Sequence, residues 1–284
     1  MLRIPPDRPL SVETWELLQA VRQVTAANDI EHFVIGATAR DILMQHVFGI
    51  DTGRATRDVD FAIAIQDWTQ FEQIRQQLIE TGQFHETGAL AHRLYFKSAE
   101  YGEAYPLDLI PFGAVEHRPH QIAWPPDMTV VMNVAGYGEA LESALVVETG
   151  DLLVRVVSLP GLAALKLLAW ADRYQQSSKD ATDLRFLMEH YHKAGNSDRL
   201  YDEIPHALAR TGYDVALAGA FLLGVDTRRM LAPATLHAML SVLHSPILRD
   251  RLTLHMSRAM TERDRVAEES IAQFHQGLTA DIPA

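Results

Sequence analysis

Two aspartates stand one residue apart in the segment RATRDVDFAI, residues 54–63, which otherwise has the composition of a buried strand. Alternate residues of a strand point to the same face, so Asp58 and Asp60 are expected to project together. Carboxylates held that close repel each other, and burial strengthens the repulsion. A divalent cation relieves this conflict, and carboxylate oxygens are the ligands that magnesium or manganese prefers. The pair therefore indicates a metal site; the alternative is that one aspartate ends a turn and the other is solvated at the strand end.

A third acid, Asp108, lies in the segment PLDLIPF, where apolar residues flank it on both sides. An unpaired charge buried there would cost on the order of several kcal/mol. If this strand lies beside the strand of Asp58 and Asp60, three carboxylates converge and can hold two metal ions. Such a pair of ions activates an attacking hydroxyl and stabilises the leaving oxygen in phosphoryl transfer. The alternative is that Asp108 reaches water at a strand edge or pairs with an arginine such as Arg93.

The segment VIGATARDIL could bind the phosphates of a substrate. A strand that runs through Gly36 and Ala37 into a helix leaves free backbone N–H groups at the helix N-terminus, and glycine lets a phosphate approach the backbone closely. Thr38 could add a hydroxyl group and Arg40 a cation. The segment is neither a G-x-G-x-x-G motif nor a P-loop. Taken alone, Gly36 is also explained as an ordinary turn residue.

Two further candidates lie in segments with helical periodicity. Lys166 stands in the nearly all-apolar segment LAALKLLAW, where a lysine needs a partner or a path to water. Asp180, in the segment KDATDLRFL, falls on the inward stripe of its helix, with Asp183 at the border of that stripe. Lys166 is expected to neutralise a triphosphate, and Asp180 to position Lys166 or the acceptor. The alternatives are a lysine that extends to water from the rim of a core helix and acids favoured by the helix dipole.

Together these motifs resemble the nucleotidyltransferase superfamily that includes DNA polymerase β. The shared pattern is a strand, a G-[GA] turn and a helix, then D-x-D on the next strand and a third Asp on a later one; it covers about the first half of the chain. The resemblance implies a mixed sheet with helices, two magnesium ions, and transfer of a nucleoside monophosphate from an NTP. Ala37 departs from the Gly or Ser that is usual after Gly36, which removes a side-chain contact to phosphate where the family has Ser and leaves the backbone contacts.

Within this superfamily the chain looks most like the AbiEii-type nucleotidyltransferases, the toxins of abortive-infection toxin–antitoxin systems, and their MenT-like relatives. Their lysine helix and D-x-x-D run correspond to LAALKLLAW and KDATDLRFL. The resemblance implies transfer to an acceptor hydroxyl with release of pyrophosphate, Mg²⁺ or Mn²⁺ as cofactor, and an antitoxin partner. It implies metal ligands at Asp58, Asp60 and Asp108, further catalytic roles for Lys166 and Asp180, and nucleotide contacts at Gly36, Ala37, Thr38, Arg40 and Lys166.

Other functions of the same motifs stay open. The tRNA CCA-adding enzymes and bacterial poly(A) polymerases share the G-G-x-x-R-D and D-x-D motifs, but this chain lacks their R-R-D-F-T-I-N-A segment. The acceptor is equally undecided between a tRNA end, a protein side chain and a small molecule such as an aminoglycoside. A non-catalytic descendant that binds a nucleotide and acts as a regulator is the alternative from another class.

The rest of the sequence predicts the elements that must position these residues. A helix is expected from Ser11 to Asp29, with Ser11 as its N-cap. Strands are expected at Phe33–Ile35, at residues 58–65, and in HRLYFKS and PLDLIPF. SALVVETG and LLVRVVS are expected to form two more strands or a hairpin. From Leu159 onward the periodicity is helical. We therefore predict an α+β fold with a nucleotidyltransferase core, residues 1–157, and a helical domain, residues 158–284, that contributes Lys166 and Asp180 to the site.

Composition narrows the class of protein. The 284 residues carry a formal net charge of −12, the wrong sign for a surface that grips nucleic acid throughout. Cysteine is absent, so neither a disulfide nor a thiolate metal site can form. The beginning of the sequence has no signal-peptide pattern, and the most apolar run, Val215–Val225, is too short to span a bilayer. A cytoplasmic protein without a membrane partner is expected.

Overall fold

The computed structural model describes residues 1–53, 58–88, 90–98, 104–257 and 264–280. Internal contacts divide the chain into two compact units, Met1–Ser158 and Leu159–Ala284. The first unit is a mixed sheet with helices and the second is helical. The predicted fold class, a mixed sheet with helices followed by a helical C-terminal part, is therefore confirmed.

Within its described residues, the first unit contains one large mixed sheet and one small antiparallel pair. The strands are β1 (Leu2–Arg3), β2 (His32–Ile35), β3 (Val59–Ile65), β4 (Phe84–His85), β5 (Arg93–Lys97), β6 (Ala104–Gly113), β7 (Gln121–Ala123), β8 (Val131–Asn133), β9 (Leu145–Thr149) and β10 (Leu152–Val156). The large sheet has the strand order β1-β9-β10-β2-β3-β6-β5-β4, and the pair is formed by β7 and β8.

The register of the central strands brings the predicted polar residues together. Strand β3 runs antiparallel to β2, with Asp60 opposite Ile35, and parallel to β6, with Asp60 opposite Asp108. Strand β5 runs antiparallel to β6 and places Arg93 opposite Asp108. The condition for convergence of the three acids, that the strand of Asp108 lies beside the strand of Asp60, is met. Strand β3 itself begins at Val59, one residue later than predicted, and the carbonyl oxygen of Asp58 accepts a hydrogen bond from the Thr38 hydroxyl.

Helices cover this sheet and bury its apolar side chains, among them Phe33, Phe61 and Phe96. They are α1 (Val12–Ala27), α2 (Gly36–Asp41), which continues as a π-helix at Ile42–Val47, α3 (Trp68–Glu80) and α4 (Tyr137–Glu142). The side chain of Ser11 accepts a hydrogen bond from the backbone N–H of Thr14, so the predicted N-cap of α1 is confirmed. Helix α2 starts directly at Gly36 with no separate turn, because the positive φ of this glycine reverses the chain at once.

The second unit consists of helices packed around an apolar interior that includes Trp170, Leu184 and Phe274. They are α5 (Leu159–Arg173), α6 (Lys179–His190), which continues as a 3₁₀ turn at Tyr191–Lys193, α7 (Ser197–Asp202), α8 (Pro205–Arg210), α9 (Val215–Met230), α10 (Pro233–His244), α11 (Pro246–Met256) and α12 (Arg265–Thr279). Throughout the described residues of both units, no helix has the length and apolar character that crossing a membrane requires.

Candidate active site

The start of α2 lies directly against an acidic side chain. Gly36 has φ +68°, in the left-handed region that side-chain-bearing residues rarely adopt. A Cβ atom at this position would lie 2.9 Å from Cγ of Asp60, because Ile35, the preceding residue, is the register partner of Asp60. Glycine is therefore required for the Asp60 carboxylate to reach the backbone at this helix start.

Replacement of this glycine should be costly for two separable reasons. Gly36→Ala is expected to destabilise the fold by about 2–4 kcal/mol, from the unfavourable φ and from the clash with Asp60. Gly82→Ala is the matched control, since Gly82 has φ +76° and its Cβ would meet nothing within 4 Å. Urea unfolding of both variants measures the difference. Equal losses of stability would contradict the close approach of Gly36 and Asp60.

The two other polar residues at the start of α2 have intramolecular partners. The buried Thr38 donates its hydroxyl proton to the carbonyl oxygen of Asp58 at 2.7 Å, which ties the helix to the acidic strand. Arg40 is only 2% exposed, and its Nε and Nη2 donate to Oδ1 of Asp41 at 2.8 and 2.6 Å. Ala37 is half-buried. Thr38 thus ties the start of α2 to the acidic strand, whereas Arg40 is engaged by Asp41 in the last turn of the same helix. The predicted contacts of both residues to a nucleotide stay predictions.

Three aspartates meet at this end of the paired strands β3 and β6. Asp60 and Asp108 are register partners on adjacent parallel strands, and Asp58 immediately precedes β3. The Asp58 side chain is 53% exposed, whereas that of Asp108 is 12% exposed. The structure therefore brings together the three predicted metal ligands and Gly36 within the first unit.

Arg93 holds the most buried of the three acids. Its Nε and Nη2 donate to Oδ1 and Oδ2 of Asp108, each at 2.7 Å, as a two-pronged fork. The same Nη2 lies 3.9 Å from Oδ2 of Asp58. The hydrogen bond to Asp108 raises the pKa of Arg93, so the guanidinium stays charged. This is the arginine pairing that the sequence offered as the alternative for Asp108.

His92 is a further residue at this position that the motifs did not predict. Its Nε2 lies 4.0 Å from Oδ1 of Asp108, and its ring packs on Trp124 with a centroid separation of 5.4 Å. Burial lowers the pKa of His92 and outweighs the opposing attraction of Asp108, so the ring is neutral at neutral pH. The sequence signal for this contact was only that His92 precedes a strand, because the partner depends on the register of β5 and β6.

The chemistry of the three acids suits magnesium or manganese, which take carboxylate oxygens. Asp58 and Asp60 supply such oxygens, and Asp108 supplies two more that Arg93 holds. Among the residues that the structure describes, no three His, Cys, Asp or Glu side chains are grouped so as to hold a metal ion. The carboxylate donors fit either ion, and Arg93 donates to both oxygens of Asp108 in this structure.

In the second unit, Lys166 of α5 lies between two buried acids of α6. Its Nζ is 3.0 Å from Oδ1 of Asp180 and 2.7 Å from Oδ2 of Asp183, and each of these acids has a side chain only 3% exposed. Arg173 also reaches Asp180, with Nε 2.7 Å from Oδ2. The geometry matches the predicted pairing of Asp180 with Lys166, and it adds Asp183 and Arg173, which share helix faces with the predicted residues.

These charges stabilise one another. Burial of Lys166 disfavours its charged form, but Asp183 and Asp180 outweigh that effect and raise the pKa of the ammonium group. Burial likewise disfavours the Asp180 carboxylate, and the attraction of Lys166 with the hydrogen bond from Arg173 lowers its pKa on balance. Lys166 and Asp180 are thus both ionised at neutral pH. That Lys166 and Asp180 act in one site with the three aspartates of the first unit stays a prediction.

Comparisons with known proteins identify relatives. The family profile described as "Nucleotidyl transferase AbiEii toxin, Type IV TA system" matches residues 21–276. No curated protein matches the chain.

Among solved structures, an antigenic nucleotidyltransferase-like protein from Paracoccidioides brasiliensis is 16% identical with a TM-score of 0.46, over 74% of this chain and 94% of that one. A candidate nucleotidyltransferase from H. pylori is 14% identical with a TM-score of 0.40, over 95% and 96% of the two chains. The ANT(2")-Ia structure in complex with adenylyl-2"-tobramycin is 15% identical with a TM-score of 0.40, over 70% and 98%.

Proposed function

This chain belongs to the AbiEii family of nucleotidyltransferase toxins, and we propose that it moves a nucleoside monophosphate from an NTP to an acceptor hydroxyl. The observation that carries the proposal is the register that sets Asp60 beside Asp108, with Gly36 against the Asp60 carboxylate. Carboxylates at the start of a helix that can receive phosphates are what a two-metal phosphoryl transfer requires.

Asp58 and Asp60 would hold Mg²⁺ or Mn²⁺, with Asp108 completing the site, and the two bound ions would neutralise phosphate charge and acidify the acceptor hydroxyl. The backbone at Gly36 and Ala37 receives the triphosphate, with Thr38 holding this helix start to the acidic strand. Most of the rate enhancement in such a reaction comes from positioning and charge neutralisation.

The chemical step is an in-line displacement at the α-phosphorus. The acceptor oxygen forms a bond to that phosphorus while the bond to the bridging α–β oxygen breaks, and pyrophosphate leaves. Asp108 assists removal of the hydroxyl proton. Lys166, held by Asp180, steadies the β- and γ-phosphates, with Arg40 as a second cation.

The family description supports a toxin role, with an antitoxin as protein partner. Because NTPs are cytoplasmic, the proposed reaction takes place in the cytoplasm. The acceptor is a tRNA end, a protein side chain or a small molecule, and the net charge of −12 makes a tRNA acceptor depend on a local basic surface.

A transfer assay tests the function and identifies the acceptor class. The protein is incubated with Mg²⁺ and each of the four NTPs labelled at the α-phosphate, with total tRNA, a protein extract and a small-molecule fraction offered separately. We expect label in a single fraction, lost without Mg²⁺ and in a folded Asp58→Ala, Asp60→Ala double variant. Mg²⁺-dependent NTP binding without transfer would instead support the alternative of a non-catalytic, nucleotide-binding regulator. An absence of NTP binding would overturn the proposed site.

A further inference from the structure

We propose that Arg93 and a divalent cation compete for Asp108, so that Arg93 is a displaceable internal cation which sets the metal affinity of the site. This inference rests on the proposed function, because the metal is part of that proposal. It concerns the residues of this chain and can be measured without any substrate.

The hydrogen-bonded fork between Arg93 and Asp108 occupies the position that a metal ion would take. Arg93 donates to both oxygens of Asp108 at 2.7 Å, so the edge of the carboxylate that would take a metal in bidentate fashion is occupied. Its Nη2 also lies 3.9 Å from Asp58. One guanidinium group therefore lies between two of the three acids proposed to bind metal.

The charges of the three aspartates and of Arg93 also favour competition between Arg93 and a divalent cation. Asp58, Asp60 and Asp108 carry three negative charges at neighbouring positions, and Arg93 contributes one positive charge to offset them. A divalent cation placed on the same oxygens would bring two positive charges next to the guanidinium, and the like charges would repel. A divalent cation that takes the same edge of Asp108 therefore has to displace the guanidinium.

The Arg93 side chain is more accessible to solvent than the side chain of Asp108. The Arg93 side chain is 25% exposed, twice the value for Asp108. The guanidinium can thus move into solvent on a flexible stem, whereas the carboxylate of Asp108 is fixed on a central strand. Metal binding at Asp108 is expected to release Arg93 rather than to displace the acid.

The test is Mn²⁺ binding in the absence of nucleotide, by calorimetry and electron paramagnetic resonance. Arg93→Gln is expected to bind Mn²⁺ at least about tenfold more tightly than the unaltered protein, since loss of a charge-assisted fork removes the competitor. Lys97→Gln is the matched control, because it removes one positive charge from an exposed position on the same strand β5. It should change the affinity by less than about threefold.

A double-mutant cycle assigns the effect to Asp108. In an Asp108→Asn background, Arg93→Gln should no longer tighten Mn²⁺ binding, because the contested carboxylate is gone. If Arg93→Gln is too unstable without metal, Arg93→Lys serves instead, since it keeps the charge and loses the fork, and it should tighten binding to a smaller extent. Mn²⁺ should also raise the Tm of either variant more than that of the unaltered protein.

Unchanged or weaker Mn²⁺ binding by a folded Arg93 variant would overturn the inference, as would a tightening that persists with Asp108→Asn. Failure of the proposed function is a different result. Tighter Mn²⁺ binding without nucleotidyl transfer supports the competition and counts against the activity, whereas transfer with unaltered Mn²⁺ binding supports the activity and overturns the competition.

Discussion

Asp60→Asn is expected to lower nucleotidyl transfer by about a thousandfold or more while the protein stays folded. The substitution keeps the size of the side chain and therefore its fit against Gly36, and it removes the negative charge. Asp60 takes part in both contacts that define the site. It is the register partner of Asp108, and it is also the neighbour of the start of helix α2. In the proposed mechanism, metal and phosphate positioning both depend on its charge.

The measurement is the turnover rate for the labelled NTP and acceptor identified in the transfer assay, together with urea unfolding of the variant. Asp151→Asn is the charge-matched control, because Asp151 is exposed in the turn between β9 and β10. It should retain nearly full activity. Activity of Asp60→Asn within about tenfold of the control, in a folded protein, would remove Asp60 from the proposed catalytic set.

The sequence was most informative where the signal is local. Alternation through VDFAIAI predicts β3, and the apolar neighbours of Asp108 predict a buried strand that carries an acid. The N-cap at Ser11 and the change to helices at Leu159 are equally local, since caps and periodicity depend on a few adjacent residues. Pairing of β3 with β6 could be predicted only as a condition, and the structure supplies the register.

The contacts that define the site were harder to predict because they join distant segments. Arg93 and Asp108 meet only because β5 runs antiparallel to β6 in one particular register, and a slip of one residue would turn Arg93 to the other face. From sequence, Asp183 is open between a site residue and an acid favoured by the helix dipole, and only the packing of α6 against α5 places it on Lys166. Arg40 has the residue type of a phosphate ligand, yet its helix turns it inward onto Asp41.

Loss of the lysine in the second unit should have the largest effect on stability. Lys166→Met is expected to destabilise the protein by about 3–5 kcal/mol, because Asp180 and Asp183 would remain buried without the ammonium group between them. Methionine preserves most of the apolar stem, so the loss reports mainly on charge. Lys179→Met is the control, since Lys179 is exposed at the start of the same helix as the two acids.

The pH dependence of this difference separates charge from packing. The pKa of Asp180 in the folded protein lies below its ordinary value of 3.8, so its stabilising contribution is complete above that pH and is lost as the pH falls through the folded pKa. In Lys166→Met the buried acids should take up protons at higher pH, which relieves their repulsion. Urea unfolding of both proteins between neutral pH and about pH 4 should therefore show the stability gap narrowing with acidification. A gap that stays constant over this range would mean that Lys166 stabilises the helices through its stem, and that its charge is not committed to Asp180 and Asp183.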